Sequence, residues 1–307
     1  MSKKIILTGA TGVIGSRLCK LLISRGDKVI VLSRDVQRAK DNMRIDAEFI
    51  NWNYISPLSK EVNFDEVNAV IHLAGANLFE RRWDNDYKKI ILESRTLSTR
   101  ILAQSINSSS VKPSVFISSS AVGYYGNKGN EIITESSLPG NDFLSSVCKQ
   151  WENESTIVES SNVRRVNIRT GLVLNSEEGA LKQMLLPFKL FIGGPIGNGK
   201  QWFPWIHIED ILNIYLFALD NDNIGGPLNA ASPNPVLMKN FANNIGKILK
   251  RPSFFPVPVS ALKIVLGEVA GVISSSQRII PEKLLNNRFR FKYEFLNDAL
   301  EDLLKKG

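Results

Sequence analysis

Residues Ile5 to Gly15 read IILTGATGVIG, an apolar β-type run that breaks directly into Gly9-x-x-Gly12-x-x-Gly15. Glycines at this spacing let the chain turn tightly, bring bare backbone against a pyrophosphate and start a helix packed close on its strand. The helix start then offers unpaired N–H groups and the positive end of a dipole to phosphate oxygens. A glycine triplet alone matches many loops. Here it follows a strand and precedes an apolar-periodic helix (Val13, Ile14, Leu18, Leu21, Leu22), the context that the motif requires. Gly9, Thr11, Gly12, Val13, Ile14 and Gly15 are therefore the expected dinucleotide contacts of this turn.

The next strand, Lys28 to Leu32, is KVIVL and ends at Ser33-Arg34. An NAD-binding unit places Asp or Glu about 20 residues past the glycines, where the carboxylate bonds the ribose 2′-hydroxyl. This chain puts a guanidinium there. Arg34 can grip a 2′-phosphate with its planar fork and stack on adenine, and Ser33 adds a hydroxyl donor, so NADP(H) is expected in preference to NAD. Asp35 follows at once, and either turns inward to the ribose or begins the next helix.

At 307 residues, 43% hydrophobic and 22% charged, the chain has the composition of a globular protein with room for one large domain and a smaller one. Its apolar runs fall well short of the ~18 residues of a membrane span, and, with the chain entering a strand at once, no signal peptide is expected. Cys19 and Cys148, both in expected helices, suggest no disulfide framework; a reducing, cytoplasmic setting is expected. No Cys/His cluster has metal-ligand spacing, so no metal is expected. The net charge of +8 is dispersed, with no basic block and no aromatic-interleaved stripe. An anionic cofactor accounts for it more economically than nucleic acid does.

Strands and helices then alternate: a helix near Val36–Met43, strands at 48–51 and 69–73, a long helix over about 83–105, the strand SVFISSS at 114–120, a helix over about 142–159 and a strand at 163–168. This βαβ alternation predicts an α/β fold, a Rossmann-type doubly wound parallel sheet with ligands at the strands' carboxyl ends, followed by a smaller C-terminal substrate lobe. The expected division is 1–220 for the dinucleotide-binding domain, with excursions to the lobe at 175–210, and 221–307 for the lobe, closed by three short helical segments. Further strand ends carry ligand-type groups. Leu73-Ala74-Gly75-Ala76-Asn77 offers small residues on which a ribose and phosphate can lie, with Leu73, Ala74, Gly75 and Asn77 as candidate contacts. The string Ser118-Ser119-Ser120 would deliver hydroxyls toward a nicotinamide, with Ser118 counted as a cofactor contact. Gly123-Tyr124-Tyr125-Gly126 and Arg169-Thr170-Gly171 follow.

Taken together, these strings resemble the extended short-chain dehydrogenase/reductases, relatives of sugar-nucleotide epimerases, and within them the atypical "epimerase family protein" subgroup. The shared text includes TGATGVIG, HLAGAN, RRW followed by ESR, SSSAVGYYG, RTGLVL, GGPIGNGKQWFPWIHIEDI, PEKLL and FRFKY, and runs over essentially the whole chain, including a family-specific C-terminal segment at about 250–300. The resemblance implies a nicotinamide cofactor held across the strand ends. Such reductases carry Tyr-x-x-x-Lys on the helix after the serine strand, the Tyr as acid/base and the Lys as its electrostatic partner. With Trp151-Glu152 as anchor, those positions fall on Leu144 and Cys148. A one-residue shift gives Phe143 or Ser145 with Lys149, which could still reach the ribose. Arg95 stands where an active-site Asn is usual, four residues before Thr99, and of the usual group Ser120 alone is recognisable.

Two functional readings follow. In the first, the protein is an NADP-dependent oxidoreductase or epimerase on an unidentified nucleotide-sugar or carbonyl substrate. The proton then comes from Tyr124 or Tyr125, and Arg95, Lys88 or Arg81 binds an anionic substrate or tunes the acid. In the second, it binds NADP without turnover as a regulator with a protein partner; some relatives carry the label of cell-division inhibitor. The loop GGPIGNGKQWFPWIHIED at 193–210 adds Lys200, Gln201 and Trp202 as candidate substrate contacts, while His207 and His72 read as structural. The oligomeric state is left open by the sequence; the helices at 83–105 and 142–159 are where proteins of the resembled family often pair into homodimers.

Overall fold

The computed structural model describes residues 2–58 and 62–305. Seven parallel strands form the central sheet: β1 (Lys4–Thr8), β2 (Lys28–Ser33), β3 (Glu48–Asn51), β4 (Ala69–His72), β5 (Val115–Ala121), β6 (Arg164–Thr170) and β7 (Gly226–Ala230). Their order is β3-β2-β1-β4-β5-β6-β7. The chain builds outward from β1 to one side, then crosses to β4 and builds to the other, and this reversal opens a crevice beyond the carboxyl ends of β1 and β4.

The strands alternate between two cores. Ile5 and Leu7 face a core shared with α1 (Val13–Ser24) and α6 (Ile208–Asp220), through Leu18, Leu22, Ile211, Ile214 and Tyr215. Ile6, Val70 and Phe116 face the other, against Leu102, Ala103 and Ile106 of α3 (Asn85–Ser108). Both faces of a parallel sheet are thereby covered, which explains the near-continuous apolar runs. Helices α2 (Val36–Met43) and α4 (Phe143–Ser155) complete the wrapping. The stretch expected as one helix to about residue 159 is helical to Ser155 and then tightens into a 3₁₀ turn ending at Ser161, closed by Asn162 in the left-handed region.

A third core, with Leu181, Leu185, Phe188, Trp205, Phe241 and Leu300 among its residues, joins α5 (Gly179–Lys189), α7 (Met238–Leu249) and α11 (Leu296–Lys305). After residue 221 the described residues form five helices rather than three. In addition to α7 and α11 there are α8 (Val259–Leu266), α9 (Val269–Ser274) and α10 (Glu282–Asn286). Gly267, at φ +64, divides α8 from α9.

The stretch expected as the lobe also contributes to the sheet. β7 lies beyond residue 220, yet pairs with β6 from Gly226↔Val166 to Ala230↔Thr170, so the sheet takes its last strand from the stretch assigned to the lobe. A proline and an asparagine in GPLNA hid this strand from a reading by β-propensity.

Candidate functional site at the carboxyl edge of the sheet

Register brings the candidate loops to one level. Thr8 lies opposite Leu32 on one side and His72 on the other, so Gly9, Ser33 and Leu73 leave the sheet together. Gly9 sits at φ +68, and a Cβ there would lie 2.6 Å from the Leu73 carbonyl carbon. A Cβ on Gly15 would lie 2.2 Å from the Gly9 carbonyl oxygen; α1 seats this closely on its strand only because that residue has no side chain. Gly12 is the N-cap of α1, and no side chain caps the helix or places an acid in its first turn. By contrast α2, α3 and α4 are capped by Asp35, Asp84 and Asp142. At the start of α1, Thr11 and Gly12 are exposed and Val13 and Ile14 half-buried, and no side chain of the described residues caps its first N–H groups.

Asp35 does begin the next helix. Its carboxylate accepts from the Arg38 N–H at 2.9 Å, while the Ser33 hydroxyl donates to the Asp35 carbonyl at 3.0 Å. Arg34 is exposed, its guanidinium carbon 5.6 Å from the Tyr54 ring centre. The Tyr54 hydroxyl donates to the Leu32 carbonyl at 3.4 Å. Burial holds the Tyr54 phenol above its ordinary range, with Arg34 acting against it. Nothing in the sequence pattern singled out Tyr54, which belongs to no regular element.

The loop after β4 is fixed from below by three buried side chains. Ser98 donates to the Ser94 carbonyl at 2.7 Å, which leaves its oxygen to accept from His72 Nε2–H at 3.0 Å. His72 Nδ1 then accepts from the Thr8 hydroxyl at 2.7 Å, and the Thr8 oxygen accepts the N–H groups of Leu73 and Ala74. Burial, with a smaller contribution from Arg95, pushes His72 down to about 3, so it stays neutral and structural. Arg95 reaches under Gly75 and donates to the Ala76 carbonyl at 2.9 Å and the Ile91 carbonyl at 3.0 Å. Its guanidinium lies 5.2 Å from the Trp151 ring centre. Arg95 therefore supports the Ala74–Asn77 shelf, and it has no carboxylate in salt-bridge range among the described residues.

At the end of β5 the candidate catalytic residues are drawn into a buried network. Ser120 donates to Glu152 Oε1 at 2.6 Å. Arg169 grips the same carboxylate twice, at 2.8 and 2.7 Å, and donates to the Tyr125 hydroxyl at 2.9 Å. Tyr125 passes its proton toward Asn229 Oδ1 at 2.7 Å, and the Asn229 N–H donates to Glu135 at 3.0 Å. Burial pushes Tyr125 up to about 12 against the pull of Arg169. Burial alone would lower Arg169, but the Glu152 contacts hold it charged. Ser120 and Tyr125, expected to face a substrate, instead spend their hydroxyls inside the protein. Tyr124 differs: it is half-buried, its ring covers the Arg169 guanidinium at 3.5 Å, and its hydroxyl has no hydrogen bond among the described residues. Leu144 and Cys148 pack under Gly123. Burial, reinforced by Glu152, pushes the Cys148 thiol up to about 12, so it supplies neither a proton at neutral pH nor a positive charge.

The remaining candidates scatter. Ser118 is buried and donates to the Ser119 carbonyl. Lys149 stands exposed on α4, one residue round from the buried Cys148, and does not join the shelf. Lys88 pairs with Glu268 at 2.7 Å, and Arg81 lies over the Tyr87 ring at 4.6 Å. Lys200 and Gln201 line an open polar cleft with Asn127 and Asn198, apart from the glycine edge. Trp202 donates to Asn130 at 2.9 Å and stacks on Arg278. His207 caps α6 and stacks 3.8 Å from Tyr293. One residue not foreseen is Asn175, whose buried Nδ2 has no hydrogen-bond partner among the described residues. Its neighbour Glu177 pairs with Arg17 of α1 at 2.6 Å, which holds that loop against the glycine-edge helix. The described residues contain no cluster of side chains suited to a metal ion, and no helix long and apolar enough to cross a membrane.

Comparison with known proteins gives a consistent picture. Residues 5–147 match the NAD dependent epimerase/dehydratase family, and residues 257–303 match a domain of unknown function, DUF1731. The epimerase family protein YfhF of Bacillus subtilis is 37% identical, over 98% of this chain and 97% of its own length. An Arabidopsis thaliana relative, the chloroplastic epimerase family protein SDR39U1 homolog, is also 37% identical, over 98% and 86%. Among solved structures, human SDR39U1 (isoform 2) with NADPH superposes with a TM-score of 0.89 at 31% identity, covering 99% of this chain and 100% of that one. UDP-glucuronic acid 4-epimerase from Bacillus cereus, in complex with UDP-glucuronic acid and NAD, shares the fold at a TM-score of 0.76 and 18% identity, covering 99% of each chain. The chain belongs to the NAD dependent epimerase/dehydratase family, among the relatives named epimerase family proteins.

Proposed function

We propose that this protein is an NADP(H)-dependent oxidoreductase of the short-chain type that acts on a carbonyl- or hydroxyl-bearing small molecule without a Tyr-x-x-x-Lys pair. The observation that carries the reading is the division of labour at residues 33–35. Asp35, the one acid in position to select NAD, is spent capping α2, and Arg34 is left exposed beside the glycine turn. The human relative solved with NADPH supports it.

The residues fit such a group: an uncapped helix start, glycine positions where no Cβ has room, and a shelf of small residues. Val13, Ile14 and Gly15 would offer N–H groups to the pyrophosphate, with Gly9, Thr11 and Gly12 giving the backbone approach. Ser33 and Arg34 would hold the 2′-phosphate, and Leu73, Ala74, Gly75 and Asn77 the ribose side. When bound, the reduced cofactor supplies a hydride. The proton is assigned to Tyr124, whose hydroxyl is engaged by no described residue, whereas Ser120 and Tyr125 would order the floor beneath it. A second reading, cofactor binding without turnover, draws on the buried state of Ser120, Tyr125 and Cys148.

The test is a fluorescence titration with NADPH and NADH, followed by a screen of carbonyl compounds for NADPH oxidation. NADPH should bind at least about tenfold more tightly, some 1.4 kcal/mol. Tyr124→Phe should retain cofactor binding and lose about 10²-fold in turnover. Equal affinities would overturn the NADP(H) reading. Cofactor binding with an inert panel, or full turnover by Tyr124→Phe, would overturn the catalytic assignment.

A further inference from the structure

The shelf residue Asn77 and its neighbour Phe79 also form one wall of a second feature, a cavity of about 260 Å³ reaching into the third core. Its other walls come from α5 (Met184, Phe188), α7 (Phe241, Ala242) and α8 (Leu262). Among the described residues no charged side chain lines it, and Asn77 and Gln183 are its polar side chains. A diphosphate held by a protein needs cations or a row of N–H donors; no cation among the described residues lines this chamber, and the one helix start on its wall, Gly179 and Ala180 of α5, carries the acidic Glu178 as its N-cap residue. The basic and amide residues of the 193–210 loop, which the sequence suggested for a nucleotide sugar, line a separate cleft.

The helices that wall the chamber are apolar on their outer sides too. Ile264 and Val265 of α8 are 75% and 68% exposed, and α8 buries none of its residues. Leu186 of α5, with Leu190 and Phe191 just beyond its end, is exposed as well. A chamber with an apolar lining and apolar surroundings suits a ligand that leaves water readily.

We infer that this chamber holds the apolar body of the substrate, an uncharged aliphatic or aromatic molecule whose single hydrogen-bonding group leaves the chamber at Asn77, and not a nucleotide sugar. On the volume of a water molecule, ~30 Å³, it has room for about nine such units, hence a compound of roughly ten carbon atoms. The inference rests on the cofactor reading above, because Asn77 is where the chamber meets the proposed ribose shelf.

The experiment uses the full chain and the uncharged ten-carbon fluorophore 1-naphthol, titrated with and without NADPH. Its fluorescence should rise on binding, and decan-2-one should displace it while UDP-glucose does not. Ala242→Phe fills the chamber, and Met184→Asp places a charge on its half-buried wall. Either should weaken probe binding at least about tenfold while NADPH affinity and the melting temperature hold. Phe79→Asp, at a more exposed wall position, is the variant least able to disturb folding and should do the same. Probe binding that survives all three variants, or displacement by UDP-glucose, would overturn the inference. Probe binding that follows the variants in a chain unable to bind NADPH would sustain the chamber and sink the cofactor reading.

Discussion

Arg34→Ala tests the cofactor assignment with little interference from folding. The side chain is exposed, and its one described contact is with the Tyr54 ring at 5.6 Å. An exposed cation–π contact of this kind contributes ~0.5–1 kcal/mol, so the variant should unfold within a few degrees of the parent. Against a 2′-phosphate the same guanidinium would make two charge-assisted hydrogen bonds. At the lower end of their range, suited to an exposed site, each is worth about 1.5 kcal/mol. The sum, about 3 kcal/mol, corresponds to a loss of somewhat more than 10²-fold in NADPH affinity. NADH has no 2′-phosphate and should be unaffected. Calorimetric titration of both cofactors into both proteins, at low and high salt, measures this directly, and the parent's preference should shrink as salt screens the exposed charge. Asp35→Ala is the companion variant. Removing its cap should cost about 1 kcal/mol of stability and leave the ratio of the two affinities unchanged. Equal loss of both cofactors in Arg34→Ala, or loss of neither, would refute the reasoning, and a collapse of NADH binding in Asp35→Ala would return the ribose contact to the carboxylate.

Gly15→Ala would drive a methyl to 2.2 Å from the Gly9 oxygen; thermal unfolding should show a loss of about 1–3 kcal/mol, and an unchanged melting temperature would contradict the packing argument. Arg169→Met strands Glu152 as a buried, unpaired carboxylate and should cost about 3–5 kcal/mol, much of it recovered in the double variant with Glu152→Leu; equal damage in single and double variants would deny the coupling. His72 has a folded value of about 3 against an ordinary 6.5, so the unfolded chain takes up the proton first. Its contribution is whole above about pH 6.5 and is lost as pH falls, by about 1.4 kcal/mol at pH 5.5. With two histidines in the chain, the imidazole NMR signals are readily assigned, and a His72 resonance titrating near pH 6 would overturn this. Cys148→Ala should leave any NADPH-dependent turnover within a fewfold of the parent, and a 10²-fold loss would give the thiol a chemical role.

The cofactor half of the site was legible because its requirements are local. A strand, three glycines and a helix start sit within eleven residues, and a missing carboxylate at the end of β2 is visible by position. The proton-handling half was not, because hydroxyl direction is a tertiary property. SSSAVGYY offers three serines and two tyrosines, and only packing reveals that Ser120 turns to Glu152 and Tyr125 to Asn229, while Tyr124 is left over. Glu152 served the sequence reading as an alignment anchor and drew no attention as a partner. The chamber was equally hidden, since its walls come from stretches far apart in the chain and, of the residues named on them, Asn77 alone had stood out in the sequence. Helical alternation gave the sheet through β6, but β7 carries too weak a strand pattern to be seen without β6 beside it.

That last strand has a practical consequence for anyone wishing to divide the chain. A fragment cut at residue 220 would leave the whole length of β6, RRVNIRT, as a raw edge, with Val166 and Ile168 deprived of their strand partners Gly226 and Leu228. An uncharged, unpaired centre of this kind invites pairing with a second fragment. The cut would also remove Asn229, the acceptor of the Tyr125 proton and the donor to Glu135. The half of the molecule that resembles a free-standing nucleotide binder should therefore aggregate when expressed alone, and the piece that begins at residue 221 would carry away the means of closing it.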